Sequence, residues 1–460
     1  MTRRNQTWTL GGVSLVVWIL WMTQIGAAQD APKLVHDKQI AAALQQVSAQ
    51  RIQENISKLV SFGTRLTLSA QDADSIATGR GIRAARQWIK SEFERYSQDC
   101  GGCLEVKTDH FTEPPTERIP KATEISNVYA VLKGTDPAQA KRVVLVTGHY
   151  DSRNSDTLDV KGDAPGANDD ASGTAVSLEC ARVLSKMKFP ATIIFLTVAG
   201  EEQGLNGSRH FAKMAKAQGW ELEAVLNNDI VGGDKSPEQD HSVVRVFSEG
   251  LPAAASEQDV KRIRGLGGES DSGSRQLARY VAEVGRAYET AVTPMLVFRL
   301  DRFLRGGDHY SFNQEGFAAV RLTEFREDFH HQHQNVRNEN GIEYGDLPKF
   351  VDYDYVSDVA RLNAATLASL ASAPTPPANV HIVTKDLEND STLTWDASAG
   401  AASYEVIWRA TTSPEWEHAQ SFGNATRATL KISKDNVIFG VRAVDAAGHR
   451  SPAVTPVPER

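Results

Sequence analysis

Between residues 143 and 370, short apolar runs alternate with stretches of helical periodicity. No other feature restricts the fold as much. The runs are Val143–Thr147, Thr192–Val198, Ala224–Leu226, Val243–Phe247, Met295–Phe298 and Ala318–Leu322. They are short and nearly uniformly apolar, which predicts strands buried on both faces. Helical spacing predicts helices over Gln87–Tyr96, Ala175–Met187, Ser208–Ala217, Arg275–Glu289 and Val356–Leu370. The expected fold is α/β, with a mixed, mostly parallel central sheet flanked by helices. Ligand sites in such sheets form outside the carboxyl ends of the strands.

Charged residues gather at those ends. The first run closes on Gly148-His-Tyr-Asp151. Residues two apart on an extended chain share a face, so His149 and Asp151 project together. A carboxylate beside an imidazole fixes the tautomer and orientation that a metal-bound histidine needs. Next, Pro165-Gly-Ala-Asn-Asp-Asp-Ala-Ser-Gly173 opens a helix. Acids there can cap the helix. Asp169 and Asp170 are adjacent, so one can face a metal while the other packs elsewhere. The apolar run 193–199 ends abruptly in Gly200-Glu-Glu-Gln-Gly204. Two neighbouring glutamates repel unless a dication keeps both charged. One can then bind metal and the other act as a base. Asp229 follows the fourth run in Asn227-Asn-Asp229. Gly306-Gly-Asp-His-Tyr-Ser-Phe312 and Phe329-His-His-Gln-His-Gln334 add histidines in turn-like sequence. Several charges at successive strand ends, followed by histidine clusters, point to a metal centre rather than to helix caps arising independently.

In this order the motifs G-H-Y-D-S, G-A-N-D-D-A-S-G, A-G-E-E-Q-G-L-x-G-S, N-N-D, G-D-H-Y-S-F and F-H-H-Q-H-Q resemble the co-catalytic zinc peptidases of metallopeptidase family 28. That family includes bacterial leucyl aminopeptidases and glutamate carboxypeptidase II. The resemblance runs from about residue 50 to 372. It implies two zinc ions held by His149, Asp169 as the bridging carboxylate, Glu202, Asp229 and His331. It implies Glu201 as general base and Asp151 as the group that orients His149. Asp308, His309 and Asp170 match positions near the centre and are expected to support it or to touch substrate. Two departures stand out. Asn168 replaces an acid before the bridging aspartate. In the last motif Asn335 replaces an acid, and His330 and His333 compete with His331, which holds the family position.

The implied activity is hydrolysis of peptide bonds by an exopeptidase, foremost an aminopeptidase that releases N-terminal residues from peptides or proteins. A carboxypeptidase or dipeptidase of the same family is the nearest rival, with Arg302 and Arg305 as candidate receptors for a substrate carboxylate. A glutaminyl-cyclase-like transferase would work with one zinc. A non-catalytic binding protein would have lost ligands, and here every ligand position is filled.

The rest of the chain sets the context. Arg3 and Arg4 precede an apolar stretch from Leu10 to Ile25, followed by Gly26, Ala27 and Ala28. This is the layout of a secretory signal, expected over residues 1–29 and removed on export to the periplasm or beyond, with an uncleaved anchor as the lesser alternative. No further span is expected, hence no stable membrane insertion after signal removal. The peptidase domain is expected over residues 30–372 and a proline-rich linker over 373–379. Residues 380–460 contain short β-branched and aromatic runs separated by turn residues, which predicts a small all-β sandwich. That segment resembles a fibronectin type III module. Cys100 and Cys103 are expected to form a local disulfide in an exported protein, and Cys180 a buried thiol. Gly265–Ser274 reads as a surface loop, with Asp271 or Ser272 capping the next helix. A net charge of −8 and a pI near 5.9 give no footprint for a nucleic-acid partner.

Overall fold

The computed structural model describes residues 33–69, 77–385 and 387–459. The expected signal segment lies outside these. Among the described residues, no helix is long and apolar enough to cross a membrane.

Among the described residues the helices α1 (Lys38–Leu44), α2 (Ala49–Val60) and α3 (Ile82–Asp99) precede the sheet. Strands β1 (Leu104–Glu113), β2 (Thr123–Leu132) and β3 (Arg142–His149) follow, then α4 (Ala171–Leu184), β4 (Thr192–Val198), α5 (Asn206–Ala217) and β5 (Glu221–Asn228). The second half of the sheet is built from β6 (Val243–Ser248), α6 (Glu257–Gly265), α7 (Gly273–Ala287), β7 (Thr293–Val297), α8 (Asp308–Gln314) and β8 (Ala319–Glu324). A small hairpin, β9 (Arg337–Glu339) and β10 (Ile342–Tyr344), precedes the long helix α9 (Tyr353–Ser372).

The eight strands β1 to β8 form one sheet in the order β1-β2-β4-β3-β5-β8-β6-β7. β3 runs parallel to both β4 and β5, and β5 runs parallel to β8. Every predicted strand and helix is present. Of the eight strands of this sheet, the two that sequence reading passed over, β1 and β2, pair antiparallel at the edge. β1 has one buried residue, Leu104, and otherwise mixes half-buried and exposed positions, with Glu105 and Lys107 facing water, so it lacks the apolar signature.

The central strands are buried on both faces, and period two sends alternate residues to different layers. Val144 and Val146 of β3 pack into a core with α4 and α9, while Val143 and Leu145 pack against Phe211 of α5 and Phe312 of α8. Helix α4 is buried almost all round. Its first turn lies directly on the end of β3: a Cβ at Gly148 would stand 2.4 Å from the Gly173 carbonyl carbon, and one at Gly173 would stand 2.1 Å from the Asn228 carbonyl oxygen. Only glycine admits that approach, which brings the 168–170 loop to the strand ends.

After α9 the chain forms β11 (His381–Val383), β12 (Ser391–Thr394), β13 (Ser403–Ala410), β14 (His418–Ser421), β15 (Arg427–Leu430), β16 (Val437–Val444) and β17 (Val457–Glu459). These make two sheets, β15-β12-β11-β17 and β14-β13-β16, around a core that includes Trp395, Tyr404, Val406 and Val441. Buried ion pairs fasten this unit to α7. Arg442 bridges Glu405 and Glu283, each at 2.9 Å, and Arg409 meets Asp271 at 2.8 Å. Ser272 caps α7, as the sequence suggested. Cys100 and Cys103 are disulfide-bonded, and Cys180 is buried.

Candidate metal centre

The strand ends deliver the expected side chains to one place. His149 ends β3, and its Nδ1 lies 3.1 Å from the Asp151 carbonyl oxygen and 3.4 Å from Asp151 Oδ1. With acceptors at Nδ1, the proton sits there and Nε2 is left as a ligand atom. Asp151 does more than orient this ring. Its carboxylate accepts from Thr67 Oγ1 at 2.9 Å and from the backbone N–H groups of Glu201 and Glu202 at 3.4 and 3.3 Å. It therefore also pins the Glu201–Glu202 turn.

Asp169 stands between two groups of potential ligands. Its Oδ1 is 3.1 Å from His149 Nε2, and its Oδ2 is 2.9 Å from His333 Nε2. One group joins His149, Glu201 and Asp229, and the other joins Asp169, Glu202 and His333, with ligand atoms inside each group all within 4.8 Å of one another. Asp170 faces the other way across the cis peptide bond between the two aspartates. It caps α4 through Gly173 N and accepts from His149 N, both at 2.9 Å.

The structure corrects the last histidine. His331 does not join the others. Its Nδ1 is 2.5 Å from Asp234 Oδ2 and its ring stacks on Phe350 at 3.6 Å. His333 takes the place expected of His331, 3.1 Å from Glu202 Oε1. The backbone accounts for the displacement: His333 has φ 56°, so the chain turns sharply there and throws its ring inward. His330 is exposed and meets Asp328.

The electrostatics are those of a crowded acidic site. Loss of solvent, with the charges of Glu202, Asp229 and Asp308, pushes Glu201 well above the usual carboxylate range. Burial, with Asp229 and Asp151, pushes Asp308 up to about 7. Burial lowers His309 to about 4; its Nε2 donates to the Leu300 carbonyl at 2.9 Å, and the ring belongs to neither group of ligand atoms. Asp308 and His309 thus stand behind the centre.

Several supporting residues were not anticipated. Arg321, fully buried on β8, meets Asp229 Oδ1 at 2.8 Å and Asp301 Oδ2 at 3.3 Å. A charge inside an apolar strand must be paired, and that was its available signal. Arg153 donates to Glu202 Oε2 at 2.8 Å. Gln332 donates to Asp169 Oδ2 at 2.9 Å. Asp346 accepts from the Asn168 and Asp169 N–H groups at 2.8 and 2.7 Å. Arg65 donates to the carbonyls of Tyr150, Pro165 and Gly166, fixing the loop that carries Asp169. Asn168 binds Glu324 and the Gly232 N–H, so it needs no charge.

A cation fits this donor set. Two buried atoms, His149 Nε2 and Glu202 Oε1, one in each group, make no hydrogen bond of good geometry, although Asp169 Oδ1 and His333 Nε2 lie 3.1 Å from them. Buried polar atoms are seldom left so. Imidazole and carboxylate donors together suit zinc.

Comparison with known proteins gives the family of the chain. Residues 127–349 match the family model for peptidase family M28. A probable zinc metalloprotease of Pyrenophora teres f. teres is 47% identical over 429 residues, 92% of this chain and 87% of that protein. Another, of Leptosphaeria maculans, is 46% identical over 439 residues, 94% of this chain and 99% of that one. Among solved structures, the Legionella pneumophila LapA aminopeptidase aligns with a TM-score of 0.51 at 21% identity over 75% of this chain and 77% of its own. Legionella pneumophila LapB aligns with a TM-score of 0.51 at 18% identity, over 75% and 79%. The extent and identity of these matches show that the chain belongs to peptidase family M28.

Proposed function

We propose that this chain is an exported, zinc-dependent exopeptidase that removes N-terminal residues from peptides. His149, Asp229 and Asp169 would hold one zinc ion, and Asp169, Glu202 and His333 the other. The relatives named as zinc metalloproteases support the choice of metal. The observation that carries the reading is Asp169, whose two oxygens face His149 and His333 separately, so that it stands between the two groups of ligand atoms.

When bound, zinc polarises a carbonyl group and acidifies water. The protein's own residues supply the rest. Glu201 lies in one group with His149 and Asp229, and with Asp169 completing that ligand set its carboxylate is left for proton transfer. It accepts the proton of the attacking water and passes it to the departing amine. The carboxylates of Asp229 and Glu201, in one group with His149, suit the ammonium of a free peptide N-terminus. The carboxypeptidase reading is weaker, because its candidate receptors are engaged. Arg302 meets Glu327 at 2.6 Å and Asp301 at 3.0 Å, and Arg305 meets Glu327 and Gln332.

The Cys100–Cys103 bridge fits export to an oxidising compartment. Residues 30–372 would form the peptidase unit and residues 380–460 an accessory unit docked on it. Fluorogenic aminoacyl arylamides, N-blocked peptides and C-terminal substrates, each assayed before and after chelation and again with added zinc, test the reading. Cleavage of free-amine substrates alone, lost on chelation and restored by zinc, is expected. Turnover of N-blocked substrates at equal rates would overturn the aminopeptidase assignment.

A further inference from the structure

Two arginines attend Glu202. Arg153 Nε donates to its carboxylate Oε2 at 2.8 Å, and Arg118 Nη1 donates to its main-chain carbonyl at 3.1 Å. The topology puts Arg118 there. β2 runs antiparallel to β4, so the loop that joins β1 to β2 emerges at the carboxyl end of β4, where the metal ligands stand.

The two cations are held differently. Arg153 is spent on an ion pair with Glu202, and 16% of its side chain is exposed. Arg118 is exposed, and the Glu202 carbonyl is its one hydrogen-bond partner among the described residues, where it has no ion pair. It is nonetheless held in place. Thr116 and Ile119 bond each other through both N–H groups, at 2.8 and 3.2 Å, and Ile119 is fully buried. Glu117 and Arg118 are therefore the tip of an anchored turn. A guanidinium stays charged and offers a planar fork of donors that matches a carboxylate. With one donor on a neutral carbonyl, Arg118 keeps the others for an incoming anion.

Charge is thus divided between the two halves of the centre. Asp229 and Glu201 stand in the His149 group and suit an ammonium, while Arg118 and Arg153 attend Glu202 in the other group. A substrate that is positive at one end and negative at the other fits this division. Its length follows from covalent geometry. The carbonyl of a glutamate lies within about 5 Å of its own carboxylate, and an extended chain covers about 3.5 Å per residue. A carboxylate two or three residues beyond the scissile bond falls within reach of Arg118.

We infer that Arg118 receives the C-terminal carboxylate of short peptides, so that the enzyme selects tripeptides and tetrapeptides over long chains. This rests on the aminopeptidase reading proposed above.

The test uses the full zinc-loaded chain and alanine peptides of two to eight residues, each as the free acid and as the C-terminal amide. Initial rates give the acid-to-amide ratio of kcat/KM. In the wild type this ratio should be at least about 10 for three and four residues, the worth of one hydrogen bond to a charged group, and should fall to one at eight. Arg118→Gln should bring it to one at every length, and Arg118→Lys should keep part of it. A ratio taken within one variant does not depend on how much of that protein is folded. Binding gives a readout without turnover. Calorimetry on Glu201→Gln should show the tripeptide acid bound more tightly than its amide, and Glu201→Gln, Arg118→Gln should lose the difference. A wild-type ratio of one, or a ratio that survives Arg118→Gln, would overturn the role of Arg118. Amidated tetrapeptides with an internal aspartate that match the free acids at all lengths would move the carboxylate to a side chain and overturn the selection for short chains. Equal cleavage of N-blocked peptides would instead sink the aminopeptidase reading, whatever the ratio.

Discussion

Nε2 of His333 stands 2.9 Å from Oδ2 of Asp169. His331, two residues earlier, points instead at Asp234. The two histidines should therefore fail differently. His333→Ala is expected to lose one zinc ion and at least about 100-fold in turnover, as removal of a first ligand exceeds the effect of the groups behind it. His331→Ala should keep both ions and most activity, with a loss of stability from the missing Phe350 stack and Asp234 pair. Metal analysis of the two purified variants separates the assignments, and loss of an ion from His331→Ala alone would reverse them.

Glu201 gives a second separation. Its carboxyl belongs to the group around His149, yet its proposed task is proton transfer. Glu201→Gln keeps the shape and removes the base. Zinc content should stay at the wild-type value while kcat falls at least about 100-fold, the lower end of general-base contributions. Retention of wild-type kcat by this variant would take Glu201 out of the mechanism.

The sequence made the sheet and most of the centre legible for physical reasons. Strands buried on both faces are continuous apolar runs, so the polar side chains at their ends stand out, and His149, Glu201, Glu202 and Asp229 were read that way. Asp169 and Asp170 were read as a pair, but only the structure separates the oxygen donor from the helix cap. His331 is preferred to His330 and His333 in sequence reading because it holds the family position, while three histidines within four residues share one composition. The choice among them lies in a left-handed backbone turn, φ 56°, which no side-chain pattern announces. Arg153, Gln332 and Asp346 act across 160 residues or more, except where Arg153 meets nearby Glu202, and such contacts leave no local periodicity.

A pH effect on stability should arise well away from the centre, at Glu249. Its carboxyl is buried at the end of β6 and accepts from Ala253 N at 2.9 Å. Burial pushes it from 4.5 up to about 7. The sign follows from proton linkage. The folded state holds this proton more tightly than the unfolded state, so folding is favoured at low pH. That contribution is lost as pH rises from 4.5 through about 7, and the loss is complete above it. Glu249→Gln keeps an oxygen for the Ala253 N–H and does not ionise. Its stability relative to wild type, from urea unfolding, should rise between pH 4.5 and pH 7 and then level off. A difference that does not change with pH would contradict the assignment.

The C-terminal sheets should unfold with the peptidase unit rather than as a detachable module. Arg442 on β16 is buried between Glu405 of its own unit and Glu283 of α7. Arg450 still neutralises Glu405 when Arg442 is removed, whereas Glu283 has no other ion pair among the described contacts. Arg442→Met therefore leaves one buried carboxylate without its partner, a change that costs about 3–5 kcal/mol in comparable sites. The wild type should show one cooperative urea transition. Arg442→Met should shift it to lower urea or split it in two, and should speed proteolytic cleavage in residues 373–379. The Arg442→Met, Glu283→Gln double variant should recover part of the loss, because replacing both partners removes the stranded charge. A double variant no better than the single one would show that Glu283 is not the group Arg442 serves.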